Sequence, residues 1–346
     1  MNLLFSCIGR RGYIADWFRE HLAPGDRIVG TGDSVWVPGF HACDLSVLMP
    51  DVTSPAYVPT LLDLCRKEEI DVLLSFYDPD VDAISRHRER FQELGVVPLV
   101  PDARVSRLSL DKLLTYEFLT EQGFHCPLTF ADLEDAREAL RAGRLRYPLV
   151  VKPRFGFASR NLFVARNDQE LETFFAYAPD MIVQEHLRGE EHNLDVLSDL
   201  EGRVLSVVVK RKILMRAGET DQAETVHHAG ALDVGVRLAD ALRAVGPLDV
   251  DLFVDGEDVV VLELNPRFGG AYPASHLAGA DFPRKILDLL RGRRVERDVG
   301  SYAVGVRMMK DYRILSAHRG QLADLRALHG KPRYSDPATR TDSSSK

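Results

Sequence analysis

The chain is poor in cysteine. Only four occur in 346 residues, at positions 7, 43, 65 and 126, and no two form a C-x-x-C pair. This argues against a disulfide framework or a zinc site and makes a reducing cytoplasm the expected home. Long apolar runs are absent too, since no stretch approaches the ~20 residues that span a bilayer. The start, Met1-Asn2-Leu3-Leu4-Phe5-Ser6, has no basic flank and reads as a first strand rather than a signal peptide, so no membrane partner is expected. Excess positive charge is missing. Lys and Arg number 44 against 52 Asp and Glu, a net charge of −8. A nucleic-acid partner would select a basic surface, so none is expected, and any anionic ligand must be held by local cations. Several well-known signatures are lacking. There is no G-x-x-x-x-G-K-[ST] loop, no G-x-S-x-G elbow, and only Gly9-Arg10-Arg11-Gly12 where a dinucleotide fingerprint would follow the first strand.

What is present suits a globular protein of about two domains. Residues 1–104 alternate strand-like runs (Leu3–Ile8, Asp26–Gly30, Val72–Phe76, Val96–Val100) with helical periods (Tyr13–Leu22, Val58–Lys67, Val81–Leu94). That rhythm implies an α/β domain with a parallel sheet and helices on both faces. Ser106–Leu119 reads as one helix containing Asp111-Lys112. After about residue 125 the rhythm changes. Leu149–Lys152 and Leu162–Ala165 read as a hairpin. Further strands are expected at Met181–Gln184, Leu194–Ser198, Val204–Val209, Leu248–Phe253 and Val259–Leu264, with Asp255-Gly256 turning between the last two. Val234–Val245 is the one clear helix among them. This second region is α+β, dominated by antiparallel sheet. The polar tail from about Lys331 is expected to be disordered.

The strongest chemical signal is Asp251 followed by Glu263-Leu264-Asn265-Pro266-Arg267. A turn at Asp255-Gly256 lets Asp251 and Glu263 lie on adjacent strands, and Glu263 and Asn265, two apart, face one side. Two carboxylates and an amide oxygen are hard ligands suited to magnesium or manganese. Arg267 offers a planar fork for a phosphate or carboxylate. Taken alone, the same residues could end a strand with a solvated arginine. A second signal is Lys152, which closes the apolar run Pro148–Val151. The loop after it, Arg154-Phe155-Gly156-Phe157-Ala158-Ser159-Arg160-Asn161, could fold over phosphates or be a plain hairpin. A third is Gln184-Glu185-His186-Leu187-Arg188-Gly189-Glu190-Glu191. A strand ending in an extended linker can meet a purine edge, and a carboxylate beyond it can hold a ribose. An acidic surface loop reads the same way. His227-His228 is an adjacent pair that cannot present both rings to one metal on a strand.

In this order the motifs resemble the ATP-grasp superfamily, in a form similar to the carbamoyl-phosphate-synthase-like members. Gly9-Arg10-Arg11, Ala42-Cys43-Asp44 and Ile70–Leu74 resemble the pre-ATP-grasp domain that precedes the grasp there. The resemblance implies a Rossmann-like domain over 1–104. An ATP-grasp domain would follow over 105–310, with a small lid at about 125–187, and then an extension over 311–346. It implies ATP with Mg2+ (or Mn2+) as cofactors. Lys112, Lys152 and Ser159 would meet the phosphates. Gln184 and the backbones of Glu185 and Leu187 would meet adenine, and Glu191 the ribose. Asp251, Glu263 and Asn265 would hold the metal. Lys212 would sit near the γ-phosphate, and Arg267 would bind the acyl phosphate or substrate carboxylate. The phosphate loop departs from the family by carrying Asn161 where glycine is usual, although asparagine tolerates a left-handed backbone. The implied activity is a carboxylate–amine ligase acting on an amino acid or small acid and an amine through an acyl phosphate, in a possible homodimer. The alternatives are activation of bicarbonate or another small acid, or ATP binding without turnover.

Overall fold

A computed structural model describes residues 1–156, 161–316 and 326–327. The short apolar runs of the first hundred residues form one parallel sheet: β1 (Asn2–Ser6), β2 (Arg27–Gly32), β3 (Leu45–Leu48), β4 (Val72–Ser75) and β5 (Val97–Pro98). Their order is β3-β2-β1-β4-β5, and the pair Arg326–Ala327 adds in parallel beside β3. Leu4 on central β1 faces Val29 and Leu73 in register. Leu3, Leu4 and Phe5 are all fully buried, as expected of a strand covered on both faces.

Contacts divide the chain into two units. One is built on Met1–Val100 with the Arg326–Ala327 strand, the other on Pro101–Asp311.

Two helices expected to be continuous are broken. The Val81–Leu94 period resolves into Asp78–Arg86 and Arg88–Gln92. Ser106–Leu119 resolves into Ala103–Leu110 and Lys112–Glu121, with Asp111 extended between them. The Asp111 side chain accepts from the N–H groups of Leu113 and Leu114. It is therefore an N-cap, which a continuous helix cannot contain. The apolar spacing runs through the break and hides it.

The second unit holds two antiparallel sheets. The smaller joins β6 (Thr129–Phe130), β7 (Leu149–Pro153), β8 (Phe163–Ala165) and β9 (Met181–Glu185) in the order β6-β9-β7-β8. Two helices that periodicity did not suggest, Leu133–Arg141 and Asp168–Phe175, pack Ala136, Ala139 and Leu171 onto Leu149, Val151 and Val183. Asp132 and Asn167 cap them. The larger sheet comprises β10 (Glu190–Ser198), β11 (Val204–Arg216), β12 (Glu219–Thr225), β13 (Gly246–Asp255), β14 (Asp258–Asn265) and β15 (Arg307–Met309). The order is β14-β13-β10-β11-β12-β15. Its apolar face carries Leu194, Val196, Val207, Val209, Val250 and Leu252, covered by helix Ala229–Leu242 through Ala231, Leu238 and Leu242. Burying each such side chain contributes roughly 1.5–3 kcal/mol. Strand β12 is polar except for Ala223, so it has no apolar alternation by which to be recognised.

Candidate active site

The other face of the larger sheet is charged. Successive side chains on a strand point to opposite faces. Where Leu194 and Val196 enter the core, Glu191, Asn193 and Asp195 therefore face away from it. Lys210 and Lys212 alternate with Val209 on β11 in the same way, and Asp249 and Asp251 alternate with Val250 and Leu252 on β13. Register then assembles the face. Asp251 lies opposite Glu263, and Asp249 opposite Asn265. Asn193 lies between Asp251 and Lys210, and Asp195 opposite Asp249. A bulge decides the matter on β14. Pairing shifts between Asp251 and Leu252, which skips Leu262. Strict alternation would put Glu263 on the same face as core residues Val259 and Val261. The extra residue turns Glu263 and Asn265 to the charged face and leaves Leu264 in the core.

The cations interleave with the carboxylates. Lys212 Nζ lies 2.8 Å from Glu191 and 2.5 Å from Asp251, and only 5% of its side chain is exposed. Lys112 Nζ lies 3.3 Å from Glu263 and donates to the Gly156 carbonyl at 2.6 Å. Arg267 donates to Asp249 at 3.2 Å. Lys210, fully buried, pairs with Asp195, whose Oδ2 also accepts from Ser275 Oγ at 2.5 Å. Gly269 passes so close to Asp249 and Asp195 that a Cβ there would collide with the Asp249 carboxylate.

Protonation follows from this crowding. Burial, reinforced by Lys112, brings the Lys152 ammonium down to about 8, against the pull of Glu263 and Asp251. Burial pushes Asp251 up to about 7; Asp249 and Glu263 add to this and Lys212 opposes it. For Glu263 burial acts upward, but Lys112, Lys152 and Arg267 outweigh it and hold the carboxyl low. Burial likewise works against the Lys212 charge, but Asp251, Glu191 and Asp249 outweigh it and raise the pKa. The site is thus a cluster of carboxylates on β10, β13 and β14, offset by lysines and an arginine at its edges, whose protons are poised by neighbours.

The residues expected to hold a metal fit one in kind. Asn193 Oδ1 is buried without a hydrogen bond, while Asp251 Oδ1 is buried 2.5 Å from the Lys212 ammonium. A buried oxygen lacking a donor, beside carboxylates, suits a hard cation. Among the described residues no three His, Cys, Asp or Glu side chains already converge as a cage. Lys212 and Lys112 instead neutralise Asp251 and Glu263.

The other expected residues are distributed as follows. Lys152 ends β7 and is buried. Gln184 is buried on β9 with its amide donating to Thr129 Oγ1 at 2.8 Å. The Glu185 N–H donates to the Leu128 carbonyl at 2.9 Å, so that group is not available to a purine. Leu187 is half-buried in the linker to β10. Ser159 lies outside the described residues, as do Phe157 and the tail from Lys331. The root of its loop is fixed by a fork: Arg154 Nε and Nη2 each donate to Asp111 at 2.7 Å. Asn161 closes the loop at φ +56°, the left-handed conformation anticipated for it.

Sequence reasoning missed Asn193, Asp195, Asp249 and Ser275. A signal existed for the first three: Asn-x-Asp, Lys-x-Lys, Asp-x-Asp and Glu-x-Asn recur on four strands, a period of two in polar residues. A cavity of about 440 Å³ lined by His192, Arg211, His228 and Val254 opens on the opposite face and contains none of the expected site residues.

Comparison with known proteins agrees with this geometry. Residues 109–271 match the family described as ATP-grasp domain, and residues 3–99 match the PylC-like N-terminal domain. The chain carries an ATP-grasp domain. A D-alanine–D-alanine ligase of Lacticaseibacillus casei (strain BL23) is 25% identical over 272 residues, covering 72% of this chain and 75% of that protein. The carbamoyl phosphate synthase large chain of a Synechocystis species is 28% identical over 186 residues, 49% of this chain and 17% of that one. Among solved structures, the biotin carboxylase domain of Hydrogenobacter thermophilus 2-oxoglutarate carboxylase, in complex with MgADP, ADP and bicarbonate, superposes with a TM-score of 0.70 at 16% identity. That match covers 88% of this chain and 72% of the other. The shared fold is an N-terminal parallel sheet followed by antiparallel ATP-grasp sheets. Among the described residues no helix is long and apolar enough to cross a membrane.

Proposed function

We propose that the protein is an ATP-dependent carboxylate–amine ligase that works through an acyl phosphate, joining an amino acid or small carboxylic acid to an amine. The observation that carries this reading is the charged sheet face. Asp251 and Glu263 stand opposite each other, Asn265 and Arg267 follow, and Lys112, Lys152 and Lys212 interleave with them. No nucleophile of the protein is needed for such chemistry; positioning and charge compensation suffice.

In this reading Lys112, Lys152 and the loop containing Ser159 hold the phosphates. Gln184, the Glu185 carbonyl and the Leu187 backbone border adenine, and Glu191 holds the ribose. Asp251, Glu263 and Asn265 would hold magnesium or manganese, which supplies charge compensation at the phosphates when bound. A substrate carboxylate attacks the γ-phosphorus and ADP leaves. The amine then attacks the acyl carbon, inorganic phosphate leaves, and loss of a proton from the nitrogen completes the amide bond. Arg267, steered by Asp249, presents its fork to the acyl phosphate, while Lys212 offsets the developing phosphoryl charge. The expected domains are 1–104, 105–310 with its lid at about 125–187, and the extension 311–346. A cytoplasmic location and a homodimer belong to the same proposal. The L. casei ligase, which joins two amino acids by name, supports the choice of a ligase.

The test is ADP formation over pairs of amino acids, with and without the amine component. A ligase releases ADP only with both. Release with a single small acid or bicarbonate marks the alternative activation chemistry, and nucleotide binding without release marks a binder. Glu263→Gln should lower turnover by about 100-fold in the productive pair. Undiminished ADP formation in that variant would refute the site.

A further inference from the structure

Asn193 lies in the middle of β10 and is 1% exposed. Its amide nitrogen donates to Asp249 Oδ1 at 2.5 Å, and that bond determines which amide atom is oxygen. The oxygen is then turned away from Asp249. It is buried and accepts no hydrogen bond. A buried acceptor left in this state costs roughly 1–3 kcal/mol, which a fold does not keep without a use.

The register shows what that use is. Asn193 stands directly opposite Asp251 on β13, whose buried Oδ1 lies 2.5 Å from the Lys212 ammonium. Directly opposite residues hold their Cβ atoms about 4.5–5.5 Å apart, so one ion can span both side chains. On the other side Asn193 faces Lys210, but that ammonium is committed to Asp195. Lys212, one alternation further along, is shared between Glu191 and Asp251. Neither ammonium serves the Asn193 oxygen. A neutral amide oxygen beside an anionic carboxylate oxygen is a donor set for a small hard cation.

We propose that Asn193 supplies a further oxygen ligand to the divalent cation of this site, beside Asp251, Glu263 and Asn265. Asp249 is its positioning residue. By accepting from the amide nitrogen, Asp249 keeps the oxygen toward the metal and at the same time steers Arg267 through its second oxygen. The assignment rests on reading this face as the magnesium–nucleotide site. It explains why an amide and not an apolar residue stands at a position that is otherwise sealed.

The experiment titrates Mn2+ into the full-length protein with a non-hydrolysable ATP analogue, following the free-ion signal by electron paramagnetic resonance. Nucleotide affinity is measured separately in EDTA. Asn193→Ala should weaken Mn2+ binding by about tenfold and leave metal-free nucleotide affinity unchanged. Asn193→Asp retains an oxygen and should hold Mn2+ within about threefold of the wild type, which guards against a variant that merely folds badly. Wild-type Mn2+ affinity in Asn193→Ala would overturn the assignment. If that variant instead raised only the KM of the amine substrate, the oxygen would face the substrate and the assignment would again be wrong. No Mn2+ uptake by the wild-type complex would remove the nucleotide reading itself, and the assignment with it.

Discussion

The two faces of the six-stranded sheet share one backbone and differ in everything else. On the helix-covered face, Leu194, Val209, Val250 and Leu252 belong to one apolar cluster. On the other, Asn193, Asp195, Asp249 and Asp251 crowd together beside Lys210 and Lys212, which pair with Asp195 and Asp251 at little exposure. The first face stabilises by removing apolar area from water, an effect without direction or partner. The second buries charges that are tolerable only in pairs, and each residue there depends on a named neighbour. A residue on the apolar face can be exchanged for another of similar volume. A residue on the charged face cannot be changed alone. Stability and chemistry are thus separated by the pleat, one residue apart along each strand.

The sharpest way to break the comparison is to remove one buried charge. Lys210→Met leaves Asp195 buried without its cation and should cost about 3–5 kcal/mol in urea unfolding. Adding Asp195→Leu should recover most of that loss, because the pair as a whole contributes little. If the double variant were as unstable as the single one, shape and not charge would govern this face. On the apolar side, Leu252→Ala should cost roughly 2–5 kcal/mol by leaving a cavity. Its saturated activity should stay within about threefold of the wild type, since Leu252 faces the covering helix. A kcat loss comparable to that of Glu263→Gln would show that the two faces are not separable.

How much of this was legible in the sequence depended on period. The order of elements in the first unit could be read because Leu3–Phe5 and Val72–Leu74 are apolar on both faces. Asp251, Glu263 and Asn265 could be read as a set because one short turn links their strands. The rest of the charged face was hidden for two physical reasons. Asn193, Lys210 and Asp249 gain meaning only from register across β11, β10 and β13, and a single strand does not specify its neighbour. The bulge at Leu262 shifts the alternation that would have placed Glu263 with Val261. The break at Asp111 was hidden because capping and helix interior share the same apolar spacing around it. Helices Leu133–Arg141 and Asp168–Phe175 bury too few apolar residues to announce themselves; their caps, Asp132 and Asn167, were the available signal.

The smallest expected effect concerns Lys152, which lies on β7 of the smaller sheet but feels Glu263 and Asp251 of the charged face, and it depends on pH. Burial holds the Lys152 ammonium at about 8, below its ordinary 10.5. The folded protein therefore binds that proton less tightly than the unfolded chain. Below about pH 8 both states are charged, and the folded state bears the whole cost of burying the ammonium. Between about 8 and 10.5 the folded state releases the proton and the cost fades; above both values it is gone. Lys152→Met should accordingly be more stable than the wild type by about 1–3 kcal/mol at pH 7 without nucleotide, with the gain vanishing near pH 10–11. Thermal unfolding of both proteins from pH 6.5 to 10.5 measures it. Leu252→Ala should show a loss that does not depend on pH, since no proton is involved. Magnesium–ATP should then reverse the order at pH 7, because the wild-type ammonium gains phosphate partners that methionine cannot provide. A Lys152→Met gain that stayed constant with pH would mean that packing, and not charge, sets the energy of this position.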